Sequence, residues 1–447
     1  MMGYRPALWF PDSYTYVVTA LHPRPDLVRP AGYSLFLRLL EPFHGFGFVA
    51  FVQHLLGLAV GVLVYAAVNR AGGRAWAATL AAAPVLLDAY QIQLEHLLVS
   101  DTLFAFLLVA AVFALLGRPT WRSACVAGAL LGAATLTRTV GLPLLAVVAA
   151  WLLIRHARAE VRGGLGGLAR GGRLVAVLVL VAAVPIAGYA AWFWATYHRV
   201  GIVGSNGVFL YGRTMSFADC AVMRPPADLA VLCDSRPPSR RPPSQEYVWA
   251  PDAPLVALPG ITFTAETDRL AGRFAFLALR SQPADYAASV LSELVRSFAW
   301  GRPVYPDQVT YDYYEFPSRT PAPPDRFPAA HGADLAVRYE RGPVDTRVVE
   351  PFAGWMRAYQ DVAGAPGTVL LAVLLLPPAV AAARAWRRRR AHGAGVGQAW
   401  GLPWVMAVSL LVVPAATAEF DYRYVLPAVP LAFLAAALLT ARQEDRS

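Results

Sequence analysis

Nine long apolar runs limit what this chain can fold into. They lie near 46–68, 75–90, 100–117, 121–136, 138–154, 174–197, 366–386, 398–418 and 422–441. Crossing about 30 Å of hydrocarbon takes roughly 20 apolar residues in helix, and only helices or closed barrels satisfy their backbones there. Just 15% of the residues are charged, where a soluble domain carries about a quarter. The expected fold class is therefore an all-α polytopic membrane protein. Run 75–90 is short and contains Asp88, and 121–154 is split around Thr137, Arg138 and Thr139, so shorter or tilted helices are expected at both places.

A net charge of +10 would suit nucleic acid, but the 39 basic residues, all arginine, gather in the breaks between apolar runs. That is where membrane topology requires them, so the bilayer is the expected partner and nucleic acid is not. The breaks with Arg70 and Arg74, Arg118 and Arg122, Arg155 to Arg173, Arg384 and Arg387 to Arg390, and the tail with Arg442 and Arg446, fall on one side under a single alternation. That side is read as cytoplasmic. The outer side then receives 1–43, 91–99, 198–365 and 417–421. No signal peptide precedes the outward N-terminal stretch. Either the helix at 46–68 carries it across or a membrane helix lies upstream of Met1, and the second is the expectation.

The opening stretch, WFPDSYTYVVTALHPRPDLVRPAGYSLFLRLL from Trp9 to Leu40, sets Asp12 among aromatics, followed by His22, Arg24 and Arg29. An amphipathic run from Arg29 to Leu40 is expected to lie on the bilayer surface. Segment 198–365 is too long for a plain connection and should contain folded material. Its proline-rich part, Arg224 to Ser244, reads as irregular structure pinned by Cys220 and Cys233, a disulfide if the segment faces an oxidising compartment and two free thiols otherwise; Cys125 sits in an apolar run as a packing residue. Amphipathic helices follow at 266–282 and 283–300. The glycine run from Gly163 to Gly172 lacks the strand and lysine of a phosphate loop and reads as a linker. The organisation expected is 1–43 as first outer loop, 44–197 as N-terminal membrane module, 198–365 as large outer loop, and 366–447 as C-terminal membrane helices with a cytoplasmic tail.

Several ionisable residues stand out against this topology. Asp12 beside an aromatic surface could serve as a base, and local spacing equally suits Asp12 or Ser13 as a helix cap. Glu95, His96 and Asp101 cluster on the outer side; Ser100 and Asp101 can cap the next helix, while acids at membrane depth usually line a polar cavity. Arg138 and Arg423 lie at outer helix ends against the positive-inside trend. Each suits a lipid phosphate, or else a snorkelling arginine, with Arg423 paired to Glu419 or Asp421. His96 with Glu95 is weak evidence for a metal, so the cofactor is left unknown: a divalent cation is compatible but not required.

The acid of the first loop, then RPAGYSLFLRLL, LEHLLVSDTLFAFLL, GALLGAATLTRTVGLPLL and DYRYVLPAVPLAF, resemble the C-type (GT-C) glycosyltransferase superfamily. The resemblance spans roughly 1–200 and 366–441, and is to bacterial relatives of protein O-mannosyltransferases and of lipid A aminoarabinose transferase. It implies a helix bundle with surface helices and a large outer loop. The activity it implies is inverting transfer of a sugar from a polyprenyl-phosphate carrier to a lipid, glycan or protein acceptor, outside a bacterial cytoplasmic membrane. By the same resemblance Asp12 is the base, with Asp101 and less directly Glu95 as second acids. Arg423, with Arg29, Arg138 and Tyr33, would hold the carrier phosphate. The chain departs from the family in having Asp12–Ser13 where many members have two adjacent acids, and in lacking a first membrane helix. A transporter or lipid flippase is the rival reading; it would favour inverted repeats and midplane ionisable groups. A glycosyltransferase site needs Asp12 within about 15 Å of both Asp101 and Arg423.

Overall fold

The computed structural model describes residues 2–160, 167–320, 327–389 and 399–441. Arg162, the start of the glycine run at Gly163, Arg390, Arg442 and Arg446 lie outside the described residues. The chain is an all-α polytopic membrane protein. It enters through a two-residue strand, Tyr4–Arg5, and two helices, Pro11–Leu21 (α1) and Gly32–Leu40 (α2). The membrane module follows as Phe46–Arg70 (α3), Ala75–Leu87 (α4), Ala89–His96 (α5), Asp101–Leu115 (α6), Trp121–Thr137 (α7), Gly141–Glu160 (α8) and Gly167–Tyr197 (α9).

Segment 198–365 holds Asn206–Thr214 (α10), three four-residue turns at Cys220–Met223 (α11), Ala227–Ala230 (α12) and Glu246–Trp249 (α13), and then Ala265–Ser281 (α14) and Pro283–Arg296 (α15). It continues with Gln308–Asp312 (α16), Phe327–Glu340 (α17) and Phe352–Gln360 (α18). Gly367–Arg389 (α19), Gly401–Thr417 (α20) and Val429–Ala437 (α21) complete the bundle.

Five helical segments among the described residues are long and apolar enough to cross a membrane: 46–70, 141–158, 167–197, 367–386 and 422–440. α4, α6 and α20 are apolar but shorter. The run expected at 75–90 breaks at Asp88, whose carboxylate accepts from the amides of Tyr90, Gln91 and Ala365 at 2.9, 3.0 and 2.7 Å. It ends α4 and caps α5, which is the physical reason one run becomes two helices.

α3 shows how the bundle packs. Gln53, Gly57, Val60, Gly61, Val64 and Val68 recur on its buried face, while Leu55, Leu58, Val62 and Tyr65 are exposed. A helix apolar on both faces suits lipid on one side and protein on the other. α7 and α9 approach closely: a Cβ on Gly128 would lie 2.5 Å from the Leu178 carbonyl oxygen, and one on Gly132 would lie 2.9 Å from that of Ala182.

The two ends of the bundle differ in the groups that meet there. At one end, Arg155 donates to the Gly117 carbonyl, Arg70 lies 5.3 Å over Phe113, and Arg74 N–H reaches Thr440 Oγ1 at 3.1 Å. At the other end, α1, α2, segment 198–365 and the 417–424 turn meet. The strand Arg347–Val348 pairs antiparallel with Tyr4–Arg5, tying the end of segment 198–365 to the head. Cys220 and Cys233 form a disulfide, Cα–Cα 6.1 Å, beside an apolar core built by α10, α14 and the intervening loop.

Candidate active site

Phe10 to Arg29 delivers the site's acid and its first arginine. Pro11 opens α1, where a missing N–H costs nothing. Ser13 Oγ accepts from the Phe10 amide at 2.9 Å and donates to the Leu98 carbonyl at 2.8 Å, so Ser13 secures the helix start. Asp12 is thereby released from capping. Its carboxylate, buried at 6% exposure, accepts from Arg29 Nη2 at 2.5 Å on one oxygen and from Arg423 Nη1 at 2.9 Å on the other. Asp26 Oδ1 accepts from the amides of Val28 and Arg29, both at 2.8 Å, and this turn aims Arg29 at Asp12.

Asp101 is fully buried at the start of α6. It does not act as a cap, and neither does Ser100, whose Oγ accepts from the Tyr16 hydroxyl at 3.2 Å. Asp101 Oδ1 pairs with Arg138, held in the break between α7 and α8, and its Oδ2 lies 4.0 Å from Arg423 Nη1. Arg423 thus bridges the first-loop acid and the α6 acid, far inside the 15 Å a shared site demands. It also donates from Nε to Asp421 Oδ2 at 3.0 Å, lies 4.5 Å over the Phe10 ring, and Asp421 in turn accepts from the Tyr314 hydroxyl.

Three carboxylates (Asp12, Asp101, Asp421) therefore face three guanidinium groups (Arg29, Arg138, Arg423) in one network. Burial alone would raise the Asp12 carboxyl, but the charges of Arg29 and Arg423 outweigh it and hold it far below the usual carboxylate range. Among the described residues no three His, Cys, Asp or Glu side chains are grouped to hold a metal ion.

Asp12, Arg29 and Arg423 line a cavity of about 350 Å³. Its other walls come from α10, from Ser244 to Trp249, from Pro306 to Tyr313 and from the 417–424 turn. Arg138 and Asp101 stand behind this wall. Two expected site residues are not brought in. Tyr33 is fully buried and donates to Gln53 Oε1 at 2.6 Å, because its face of α2 packs into the head's apolar core. Glu95 is buried on α5, where Oε2 meets His54 Nδ1 at 2.9 Å and Oε1 accepts from Gln91 at 3.0 Å. His96 lies next to it, with Nδ1 3.3 Å from His54 Nε2 and Nε2 2.9 Å from the Tyr4 carbonyl oxygen. His22 and Arg24 are exposed, and Arg24 lies 5.2 Å over Tyr197.

Sequence reasoning passed over Arg213, which is 2% exposed and donates to the Ala415 carbonyl (3.0 Å from Nη2) and to Ser289 Oγ (2.6 Å) beside the cavity. Its local sequence, LYGRT, carries no sign of burial. Glu419 was weighed only as a partner for Arg423; it lines the cavity and accepts instead from the amides of Ser244 and Gln245 at 3.0 and 3.3 Å.

Comparison with solved structures finds, among others, a chain of the S. cerevisiae protein O-mannosyltransferase complex bound to its sugar donor, at 15% identity and a TM-score of 0.35. The alignment covers 49% of this chain and 34% of that one, so this chain spans about a third of that protein's length, and a likeness this distant carries no argument on its own. No curated protein matches the chain. Residues 40–200, from the end of α2 to just past α9 and including Glu95, Asp101 and Arg138, match the model of the dolichyl-phosphate-mannose-protein mannosyltransferase family, the group to which the sequence motifs pointed.

Proposed function

We propose that the protein transfers a sugar, with inversion at the anomeric carbon, from a polyprenyl-phosphate carrier to an acceptor hydroxyl. The reaction runs at the outer face of a bacterial cytoplasmic membrane, and the acceptor is a lipid, glycan or protein. The observation that carries this reading is Asp12 held between Arg29 and Arg423 on the wall of one cavity. The family matched over 40–200 supports the donor class, since its name states a lipid-phosphate sugar.

The acceptor oxygen bonds to the anomeric carbon as the bond from that carbon to the phosphate oxygen breaks. The hydroxyl proton passes to Asp12, and the electron pair leaves with the lipid phosphate. A phosphate needs positive charge to receive that pair rather than a proton, which Arg29 and Arg423 supply as preorganised donors. With both guanidinium groups on it, Asp12 is a poor base. A phosphate entering beside them competes for the same N–H donors, and each contact it takes raises the proton affinity of Asp12. Donor binding thereby activates the base. Arg138 and Asp101 hold Arg423 in place from behind. Segments 1–43 and 366–447 supply the acid and arginine, 44–197 the scaffold, and 198–365 the cover over the cavity. Both 1–43 and 198–365 face outward, and the C-terminus is cytoplasmic.

The test is incorporation of labelled mannose from polyprenyl-phosphate mannose into envelope acceptors by membranes carrying the protein. Asp12→Asn should lower the rate at least ~100-fold, the scale of general-base catalysis. Unchanged transfer in the variant would remove Asp12 as base, and no transfer by the native protein would overturn the reading.

A further inference from the structure

The cavity wall carries a carboxylate that this chemistry does not use. Ala418, at φ −140°, ψ 165°, and Asp421, at φ −132°, ψ 131°, are extended. Glu419 and Asp421, two residues apart, both line the cavity. Asp421 is committed to Arg423 and Tyr314. Glu419 differs: its two oxygens each accept a backbone amide, from Ser244 and Gln245, rather than a guanidinium. A carboxylate oxygen that accepts one N–H keeps a further lone pair.

The groups facing Glu419 are few and occupied. Glu293 of α15 accepts from the Phe420 amide at 2.7 Å and from the Tyr305 hydroxyl at 2.9 Å. Arg213 of α10 is held by the Ala415 carbonyl, Ser216 and Ser289. Glu246, Asp307 and Asp421 stand on the cavity wall. Burial, helped by the charge of Glu293, pushes the Glu419 carboxyl up to about 7, against the two amides and Arg213, which pull it down. A carboxylate on this wall disfavours phosphate, and the same cavity is lined by Trp249, an aromatic face, and by Gln245 and Thr310, neutral side chains with Gln245 Nε2 donating to Thr310 Oγ1 at 3.1 Å. Such a wall suits a polyhydroxylated or hydroxyl-bearing ligand.

We propose that Glu419 is the acceptor-side ligand of the cavity: its ionised carboxylate accepts a hydrogen bond from a hydroxyl of the incoming acceptor and positions it, and protonation removes that contact. The inference rests on the transferase reading above and adds to it which residue of the cavity meets the acceptor. Its signature is a proton that acts on acceptor use and not on donor binding.

The experiment measures mannose transfer at limiting acceptor between pH 5.5 and 8.5, alongside binding of polyprenyl-phosphate mannose, a phosphodiester that does not titrate in that range. The expected result is a transfer rate that falls about tenfold per pH unit below about 7, with donor affinity flat. Glu419→Gln should flatten the acid limb and lower transfer at pH 8 about tenfold, and Glu419→Asp should move the limb to lower pH. A limb that persists in Glu419→Gln overturns the inference and leaves the transferase reading intact. So does a limb that appears equally in donor binding by the native protein, a measurement that decides the matter even where a variant fails to fold. Absence of transfer by the native protein overturns both.

Discussion

Arg423 is the residue on which the site turns, because its one side chain satisfies Asp12 and Asp421 and approaches Asp101. Removing one partner from a buried charge network leaves the others uncompensated, which costs about 3–5 kcal/mol. Arg423→Met should therefore lower the thermal unfolding midpoint in detergent and abolish transfer. Arg423→Lys keeps the charge but not the planar fork, so it should recover stability better than transfer. Asp12 and Glu419 should show opposite pH signatures in the same melting experiment. Asp12 is depressed in the fold, so its stabilisation is fully present above its unfolded value of about 4 and is lost as pH falls through and below that value. Glu419 is raised, so its contribution is greatest below about 4 and is lost as pH rises through about 7. Between pH 5 and 8 the native protein should lose stability relative to Glu419→Gln; a constant difference would contradict the raised carboxyl. Asp12, Asp101 and Arg423 were legible as ionisable residues at the outer ends of apolar runs. Tyr33 and Glu95 were also expected at the site, Glu95 less directly than Asp101, yet the turn of α2 and of α5 points them into packed interior. Arg213 offered no signal at all, since one arginine in a polar segment reads like any other.

At the scale of elements, the apolar runs translate almost directly into helices, and the departures have local causes. Asp88 breaks a run by capping α5, and 422–440 begins in two 3-10 turns before α21 because Pro427 and Pro430 withhold backbone donors. The α7–α9 contact depends on glycine for a different reason. Gly128 and Gly132 let backbones approach until the Leu178 and Ala182 carbonyls sit where a Cβ would be. Packing of this kind holds membrane helices together where no hydrophobic drive separates protein from lipid. Gly128→Val should force the helices apart and lower the melting midpoint markedly, while Gly188→Ala on α9, which meets nothing within 4 Å, should leave it unchanged. Equal midpoints for the two variants would show that the contact does not matter to the bundle.

For the whole molecule, the two chemically distinct ends make orientation testable. If arginine placement sets topology, a membrane-impermeant thiol reagent applied to intact cells should label Asp252→Cys in the outer segment, and should label Gly117→Cys only after permeabilisation. Labelling in the reverse order would invert the assignment of 198–365 to the outside. The sequence by itself determined the class and most of the helices. Those properties follow from solvent partition and local periodicity, which act residue by residue along the chain. Only the tertiary structure decided that Asp12 and Arg423, separated by most of the chain, share one hydrogen bond. It also decided that Asp101 braces that pair from within, and that Glu419 faces the same cavity from another wall. Such choices depend on which helix ends converge and how each helix is rotated, and rotation is set by packing against neighbours far away in sequence.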